Sequence, residues 1–244
     1  MTTKKNQIKT NEYYSNYHGH MVADLYMIYK MSKRNGYDRI IWLAGDSSLD
    51  NKYWILNLPK EPATRGYEQI LEPPECVPDV CYHVNRLMDQ DPKFSGTVCI
   101  NTSVEATTLA QRKDHLLFQD KLIRDHVTQN DTLVVSIGGN DVVLKRSVAT
   151  IASMLWLSKM STLENVRNGT ALGMGHLISM FRDDLENYIG RLTLLNKPKT
   201  IMVCMVYYPD KVPTGGWADW TLKKLGYDKN PEKVQAIIQA VFKH

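Results

Sequence analysis

Residues 39–50 read RIIWLAGDSSLD and join an apolar run to a small polar turn. The run over residues 39–44 is nearly continuous in apolar side chains, which is typical of a strand in a parallel sheet covered on both faces. Three further runs share this pattern: TVCI at 97–100, TLVVSI at 132–137 and TIMVCMV at 200–206. The pattern therefore predicts four buried strands of one parallel sheet.

Apolar residues at helical spacing occupy the intervals around these runs. The predicted helices cover residues 19–33, 110–127, 171–195 and 231–243. Residues 144–169 are interpreted as a helical insertion, and residues 57–78, which carry five prolines, as a long surface excursion. Because strands alternate with helices, the sequence predicts an α/β fold: a doubly wound, flavodoxin-like parallel sheet with helices on both faces.

The alternating order also calls for one more strand after the last helix, yet the sequence stops at His244. We therefore expect the final strand of the sheet to be missing. Because folds rarely tolerate an uncovered sheet edge, we expect the chain to be a truncated form of a longer protein.

Length and composition set bounds on the class of protein. The 244 residues, 43% of them hydrophobic, suffice for one domain of this kind. We expect a polar N-terminal tail over residues 1–17 and a single domain over residues 18–244. The formal net charge of +4 is far from the basic stripe of a nucleic-acid-binding protein, so no nucleic-acid partner is expected. With no signal sequence and no transmembrane-length apolar run, the sequence predicts a cytoplasmic protein.

The four cysteines are few for this length and predict reduced thiols. Cys99 and Cys204 lie within strand-like runs, so we expect both to be buried. Cys76 and Cys81 have four residues between them and no second Cys or His pair at metal-site spacing, which argues against zinc.

Small polar turns follow three of the predicted strands. They read GDSSLD at 45–50, NTSVEAT at 101–107 and GGND at 138–141. In doubly wound sheets, ligands bind beyond the carboxyl ends of the strands. We therefore expect the three turns to converge on one rim of the sheet.

Two residues in these turns are candidates for chemistry. Ser47 sits in a strand-to-helix turn that presents a nucleophilic hydroxyl at the sheet edge. The side-chain amide of Asn140 is able to donate to an oxyanion. Taken singly, each fits an ordinary explanation better, because Asp-Ser and Gly-Asn are common in helix caps and turns.

Taken together and in this order, the three blocks resemble those of the SGNH hydrolases, also called GDSL esterases. The resemblance covers roughly residues 39–210, and it implies that Ser47 is the nucleophile and Asn140 a side-chain oxyanion donor. The family's backbone donor is a glycine of the second block, and that position falls on Ala106, which keeps the N–H. The implied reaction is hydrolysis of a small-molecule, lipid or sugar ester through an acyl-enzyme, without a metal or an organic cofactor.

One family block has no counterpart. SGNH hydrolases carry an Asp-x-x-His block after a fifth strand, and no histidine here follows an aspartate by three residues at a strand end. The histidines are His18, His20, His83, His115, His126, His176 and His244. Three explanations stay open: truncation, which we favour, a non-catalytic relative, or another residue as the base.

The alternative function is a catalytically inactive protein of the same fold that binds or assembles with a partner. A nucleotide-binding module is a weaker alternative, because no phosphate-binding glycine motif follows a strand. The substrate and the oligomeric state do not follow from the sequence.

Overall fold

A four-stranded parallel sheet organises the protein, whose computed structural model describes residues 7–143, 148–208, 223 and 229–243. In chain order the strands are β1 (Ile8–Lys9), β2 (Arg39–Gly45), β3 (Glu61–Pro62), β4 (Leu71–Glu72), β5 (Glu75–Cys76), β6 (Thr97–Asn101), β7 (Thr132–Ser136) and β8 (Thr200–Cys204). The central sheet has the order β6-β2-β7-β8. All four predicted strands are therefore confirmed, with their ends shifted by two residues at most.

Helices alternate with strands along the chain, as an α/β fold requires. They are α1 (Thr10–Ser15), α2 (Val22–Arg34), α3 (Tyr67–Ile70), α4 (Val80–Asp89), α5 (Phe118–His126), α6 (Gly139–Val143), α7 (Val148–Lys159), α8 (Leu163–Arg167), α9 (Met174–Ser179), α10 (Leu185–Leu192) and α11 (Pro231–Lys243). The mixed α/β class with a parallel central sheet is thus confirmed. None of the helices in the described residues is long and apolar enough to cross a membrane.

The described chain divides into two compact units. The first comprises residues 7–107, 114–136 and 189–204, and it contains every strand named above. The second comprises residues 108–113, 137–143, 148–188, 205–208, 223 and 229–243, and it contains α6 to α9 and α11.

Several element boundaries differ from the predictions for local reasons. The helix predicted from residue 110 begins as α5 only at Phe118, because the Asp120 carboxylate accepts a hydrogen bond from the Leu117 N–H at 2.9 Å and caps that end. The helix predicted over residues 171–195 begins at Met174 and contains a π-helical turn at Met180–Asp184. The predicted helix at 231–243 is confirmed as α11.

Two segments predicted to lie on the surface are in fact packed. The predicted polar tail contains β1 and α1, and the rings of Tyr13 and Tyr14 are buried. The proline-rich excursion contributes the buried side chains of Tyr67 and Leu71. Prolines end regular elements there, but apolar side chains between them still bury against the unit.

The prediction that every strand is covered on both faces is wrong for β8. All five residues of β8 are exposed, whereas all five residues of β6 are buried. Cys99 is buried as predicted, but Cys204 is exposed. All four cysteines are free thiols, and none forms a disulfide bond.

Candidate active site

The turn that carries Ser47 begins where β2 meets β7. Gly45 has a φ of +150°, and a Cβ atom there would lie 1.8 Å from the carbonyl oxygen of Ser136. Only glycine fits this approach. The Asp46 N–H then donates to the same carbonyl at 3.1 Å, so the chain leaves the strand in a tight, fixed turn.

Asp46 organises the two serines that follow it. Its Oδ1 accepts from the Ser48 N–H at 3.1 Å and from the Ser48 hydroxyl at 2.9 Å, in the manner of an Asx turn. The Ser48 Oγ also lies 2.7 Å from the Ser136 Oγ. The hydroxyl of Ser48 is therefore engaged, whereas none of the described residues is recorded as a hydrogen-bond partner of the half-buried Ser47 hydroxyl.

A buried carboxylate, Asp50, joins this turn to two other segments. Its Oδ2 accepts from the Gly19 N–H at 3.0 Å and from the Glu105 N–H at 2.8 Å. Its Oδ1 forms an ion pair with Lys52, and both side chains are fully buried. Burial raises the pKa of Asp50, and the adjacent Lys52 ammonium opposes that rise.

Ala106 lies in the segment that Asp50 anchors. The Val104 N–H donates to the Gly45 carbonyl at 3.0 Å, which holds this segment against the end of β2. Ala106 has a φ of +57°, a left-handed conformation that costs a non-glycine residue on the order of 1–2 kcal/mol. Such strain persists only where the surroundings impose it, and it concentrates at functional sites. The structure thus places the Ser47 turn and the Ala106 segment side by side in the first unit.

Asn140 belongs to the second unit. It is 3% exposed, on α6, after Gly138, whose φ is +112°. A Cβ at Gly138 would lie 2.6 Å from the Phe181 ring, so this glycine is required for packing. The Asp141 carboxylate accepts from the N–H groups of Leu109 and Ala110, at 2.7 Å and 2.9 Å, and fixes the start of α6. The convergence of Asn140 with Ser47 stays a prediction.

Two residues that the sequence interpretation did not assign to the site lie beside Ala106. The Glu105 carboxylate accepts from the Trp54 indole N–H at 3.2 Å and from the Tyr17 hydroxyl at 3.4 Å, and burial raises its pKa. The His18 ring places Nδ1 3.1 Å from the Glu105 carbonyl oxygen. The only sequence signal for His18 is its position next to Gly19, just ahead of the first long helix.

The remaining histidines have other surroundings. His115 is exposed, whereas His126 is only partly exposed and stacks on Tyr29 with ring centroids 4.4 Å apart. His176, in the second unit, lies 3.0 Å from the Thr150 hydroxyl through Nε2. His244 lies outside the described residues.

Within the described part of the chain, no three His, Cys, Asp or Glu side chains form a group able to hold a metal ion. Comparisons with protein-family models, curated proteins and solved structures find no match to this chain.

Proposed function

We propose that this protein is a serine ester hydrolase of the SGNH type, with Ser47 as the nucleophile. The observation that carries the proposal is the turn at residues 45–50, in which Ser48 is engaged by Asp46 and Ser136 while Ser47 is not. A tight turn at the end of a strand that leaves one serine hydroxyl uncommitted is the arrangement that nucleophilic hydrolysis uses.

In the proposed reaction, the Ser47 oxygen attacks an ester carbonyl and its proton passes to a base. The N–H groups of Ser47 and Ala106 stabilise the oxyanion that forms. Collapse of the tetrahedral intermediate expels the alcohol and leaves an acyl group on Ser47. Water then attacks the acyl group, releases the acid and restores the serine.

Ala106 supports this assignment independently of the serine. The left-handed conformation at this position favours glycine, the residue that the SGNH resemblance expects there. Alanine holds this backbone conformation against a steric cost. A backbone N–H held in one orientation is what a donor to an oxyanion requires.

Asn140 is proposed as the side-chain donor to the same oxyanion, on the strength of the resemblance. Removing one such donor typically lowers kcat by about 10²–10³. The substrate class is a carboxylic ester: a lipid ester, a thioester or an acetylated sugar.

The test compares two adjacent serines with p-nitrophenyl acetate and longer acyl esters. Ser47→Ala is expected to lower kcat about 10⁴-fold or more, because removal of a nucleophile leaves only binding and oxyanion contributions. Ser48→Ala is the matched control and is expected to retain most of the activity with an altered melting temperature. Activity that survives in Ser47→Ala, or a folded wild-type protein that hydrolyses none of these esters, would contradict the proposal.

A further inference from the structure

Three aromatic side chains and one carboxylate form a connected group in the first unit, which we call the aromatic site: Tyr17, Tyr53, Trp54 and Glu105. The ring centroid of Tyr53 lies 4.8 Å from that of Tyr17 and 5.9 Å from that of Trp54, and its plane is nearly perpendicular to both. The Tyr17 hydroxyl and the Trp54 indole N–H donate to the two oxygens of the Glu105 carboxylate, at 3.4 Å and 3.2 Å. The three rings are therefore held against one another and against a single carboxylate.

The rings of the aromatic site are open to solvent, whereas its carboxylate is not. Tyr53 is 46% exposed and Trp54 is 55% exposed, but Glu105 is only 3% exposed. Exposed aromatic side chains grouped around a placed polar group are typical of a binding site. A ligand would meet the rings first and would have the carboxylate close behind them.

The charge of Glu105 has no positive counterpart in the described part of the chain. Among the described residues, no lysine, arginine or histidine forms an ion pair with it, and the buried Lys52 ammonium pairs with Asp50 instead. Burial raises the pKa of Glu105, the charges of Asp50 and Asp46 add to that rise, and its two hydrogen bonds oppose it. A buried carboxylate is costly without a cation, so the surroundings of Glu105 favour a positively charged ligand.

The chemistry of the rings favours the same kind of ligand. Aromatic faces attract cations, tryptophan most strongly, and clusters of such rings recognise quaternary ammonium groups. A ring whose N–H or O–H donates to a carboxylate is polarised by that bond and gains electron density, which strengthens the attraction. A neutral ligand such as a sugar would use the rings but leave the carboxylate charge without compensation.

We propose that the aromatic site binds an organic ammonium cation of the choline type. The site adjoins the candidate active site along the chain, because Glu105 precedes Ala106 and the Glu105 N–H donates to Asp50, the last residue of the Ser47 turn. The binding itself does not require hydrolysis. A substrate role for the ligand, as the alcohol part of an ammonium ester, rests on the proposed hydrolase function.

The experiment titrates the full chain with choline and with dimethylbutanol, its neutral isostere that has carbon in place of the ammonium nitrogen. Calorimetry gives the Kd, and the indole N–H resonance of Trp54 in NMR spectra reports where the ligand binds. Choline is expected to bind about tenfold more tightly than the isostere, as one or two cation–π contacts would give.

Two substitutions separate the rings from the charge. Trp54→Leu and Glu105→Gln are each expected to raise the Kd of choline about tenfold. Glu105→Gln keeps an acceptor oxygen and removes only the charge, so it should leave the affinity for dimethylbutanol unchanged. Trp156→Leu, at a 44% exposed tryptophan of the second unit, is the control and should leave the Kd of choline unchanged.

A second measurement tests the substrate role through the ratio of kcat/KM for acetylcholine to that for dimethylbutyl acetate. This ratio is expected to be about ten in the wild type and about one in Glu105→Gln, since only the first ester carries the positive charge. Choline binding without any preference for acetylcholine would leave the site in place and overturn its substrate role.

The remaining outcomes separate this inference from the proposed function. Equal affinity for choline and its isostere, or a choline affinity that neither Trp54→Leu nor Glu105→Gln changes, overturns the ammonium site and leaves any Ser47-dependent hydrolysis as it is. Choline binding that depends on both residues, in a protein without Ser47-dependent hydrolysis, supports the site and overturns only the hydrolase proposal.

Discussion

The two edges of the central sheet have nearly the same composition and opposite surroundings. The edge strand β6 (TVCIN) is buried at all five positions, whereas the edge strand β8 (TIMVC) is exposed at all five. Both are short, apolar and paired on one side to a parallel neighbour. The difference therefore lies in what reaches each strand, because their own side chains are so alike.

Side chains from the preceding segments close the β6 edge. Asn85 of α4 accepts from the Cys99 N–H at 2.8 Å and donates to the Cys99 carbonyl at 3.2 Å. The Arg65 guanidinium donates to the Thr97 carbonyl at 3.0 Å. Backbone groups that an edge strand normally leaves open are thus satisfied inside the fold. Among the described residues, no side chain forms a comparable hydrogen bond to the backbone of β8.

The closed β6 edge supports the candidate site. β2, which leads into the Ser47 turn, lies directly beside the closed edge. The segment that carries Ala106 continues from β6 itself. A rigid support of this kind is what a preorganised site requires.

The largest expected contrast is in thiol reactivity at the two edges. Iodoacetamide is expected to modify Cys204 about a thousandfold faster than Cys99, because a buried thiol reacts only after the structure opens. Peptide mass spectrometry over a time course measures both rates, and the urea-unfolded chain, in which all four thiols should react alike, is the control. Similar native rates for the two thiols would remove the distinction between the edges.

Asn85→Leu is expected to lower the free energy of unfolding by about 1–3 kcal/mol, because it leaves the buried N–H of Cys99 unpaired. The Cys99 carbonyl keeps the Tyr67 hydroxyl, which donates to it at 3.0 Å. Urea denaturation measures the change. Leu87→Ala, at a 64% exposed position on the same helix, is the control and should stay within about 0.5 kcal/mol of wild type. If Asn85→Leu leaves the free energy of unfolding unchanged, the Asn85 amide does not stabilise the β6 edge.

A pH-dependent effect concerns Asp79, which caps α4 by accepting from the Tyr82 N–H at 2.7 Å. Burial raises the pKa of Asp79 to about 7, from an ordinary value of 3.8. The folded state therefore keeps a proton that the unfolded chain releases, so this group's contribution is complete below about pH 4 and is lost as the pH rises to about 7.

The expected loss across that range is on the order of 2–4 kcal/mol. Asp79→Asn keeps the cap and should flatten this part of the stability profile. Asp91→Asn, at an exposed cap, is the control, since the pKa of Asp91 is lowered by Lys93 and its contribution falls at more acidic pH. If stability falls with pH as steeply in Asp79→Asn as in the wild type, the raised pKa of Asp79 does not cause that fall. These measurements use urea midpoints at several pH values.

Much of the fold could be predicted from the sequence, because the four apolar runs of the central sheet differ so clearly from their surroundings. The exposure of β8 could not be predicted, since burial depends on neighbours far away in the chain. The folded state of residues 8–15 was also missed, because Tyr13 and Tyr14 are buried by segments that only tertiary contacts bring near.

The candidate site divides in the same way. The Gly-Asp-Ser turn has a local signature, so Ser47 could be identified from the sequence. His18 could not, because its relation to Glu105 spans 87 positions and depends on hydrogen bonds to Asp50. The left-handed conformation of Ala106 could not be read from the sequence either, since alanine gives no sign of it.

The most direct measurement is mass-spectrometric mapping of the folded protein after reaction with a fluorophosphonate probe. The account predicts one adduct, on Ser47, that is absent from Ser47→Ala and present in Ser48→Ala. An adduct on Ser48 or on another residue, or a folded protein that stays unmodified, would contradict the assignment of Ser47 as the nucleophile.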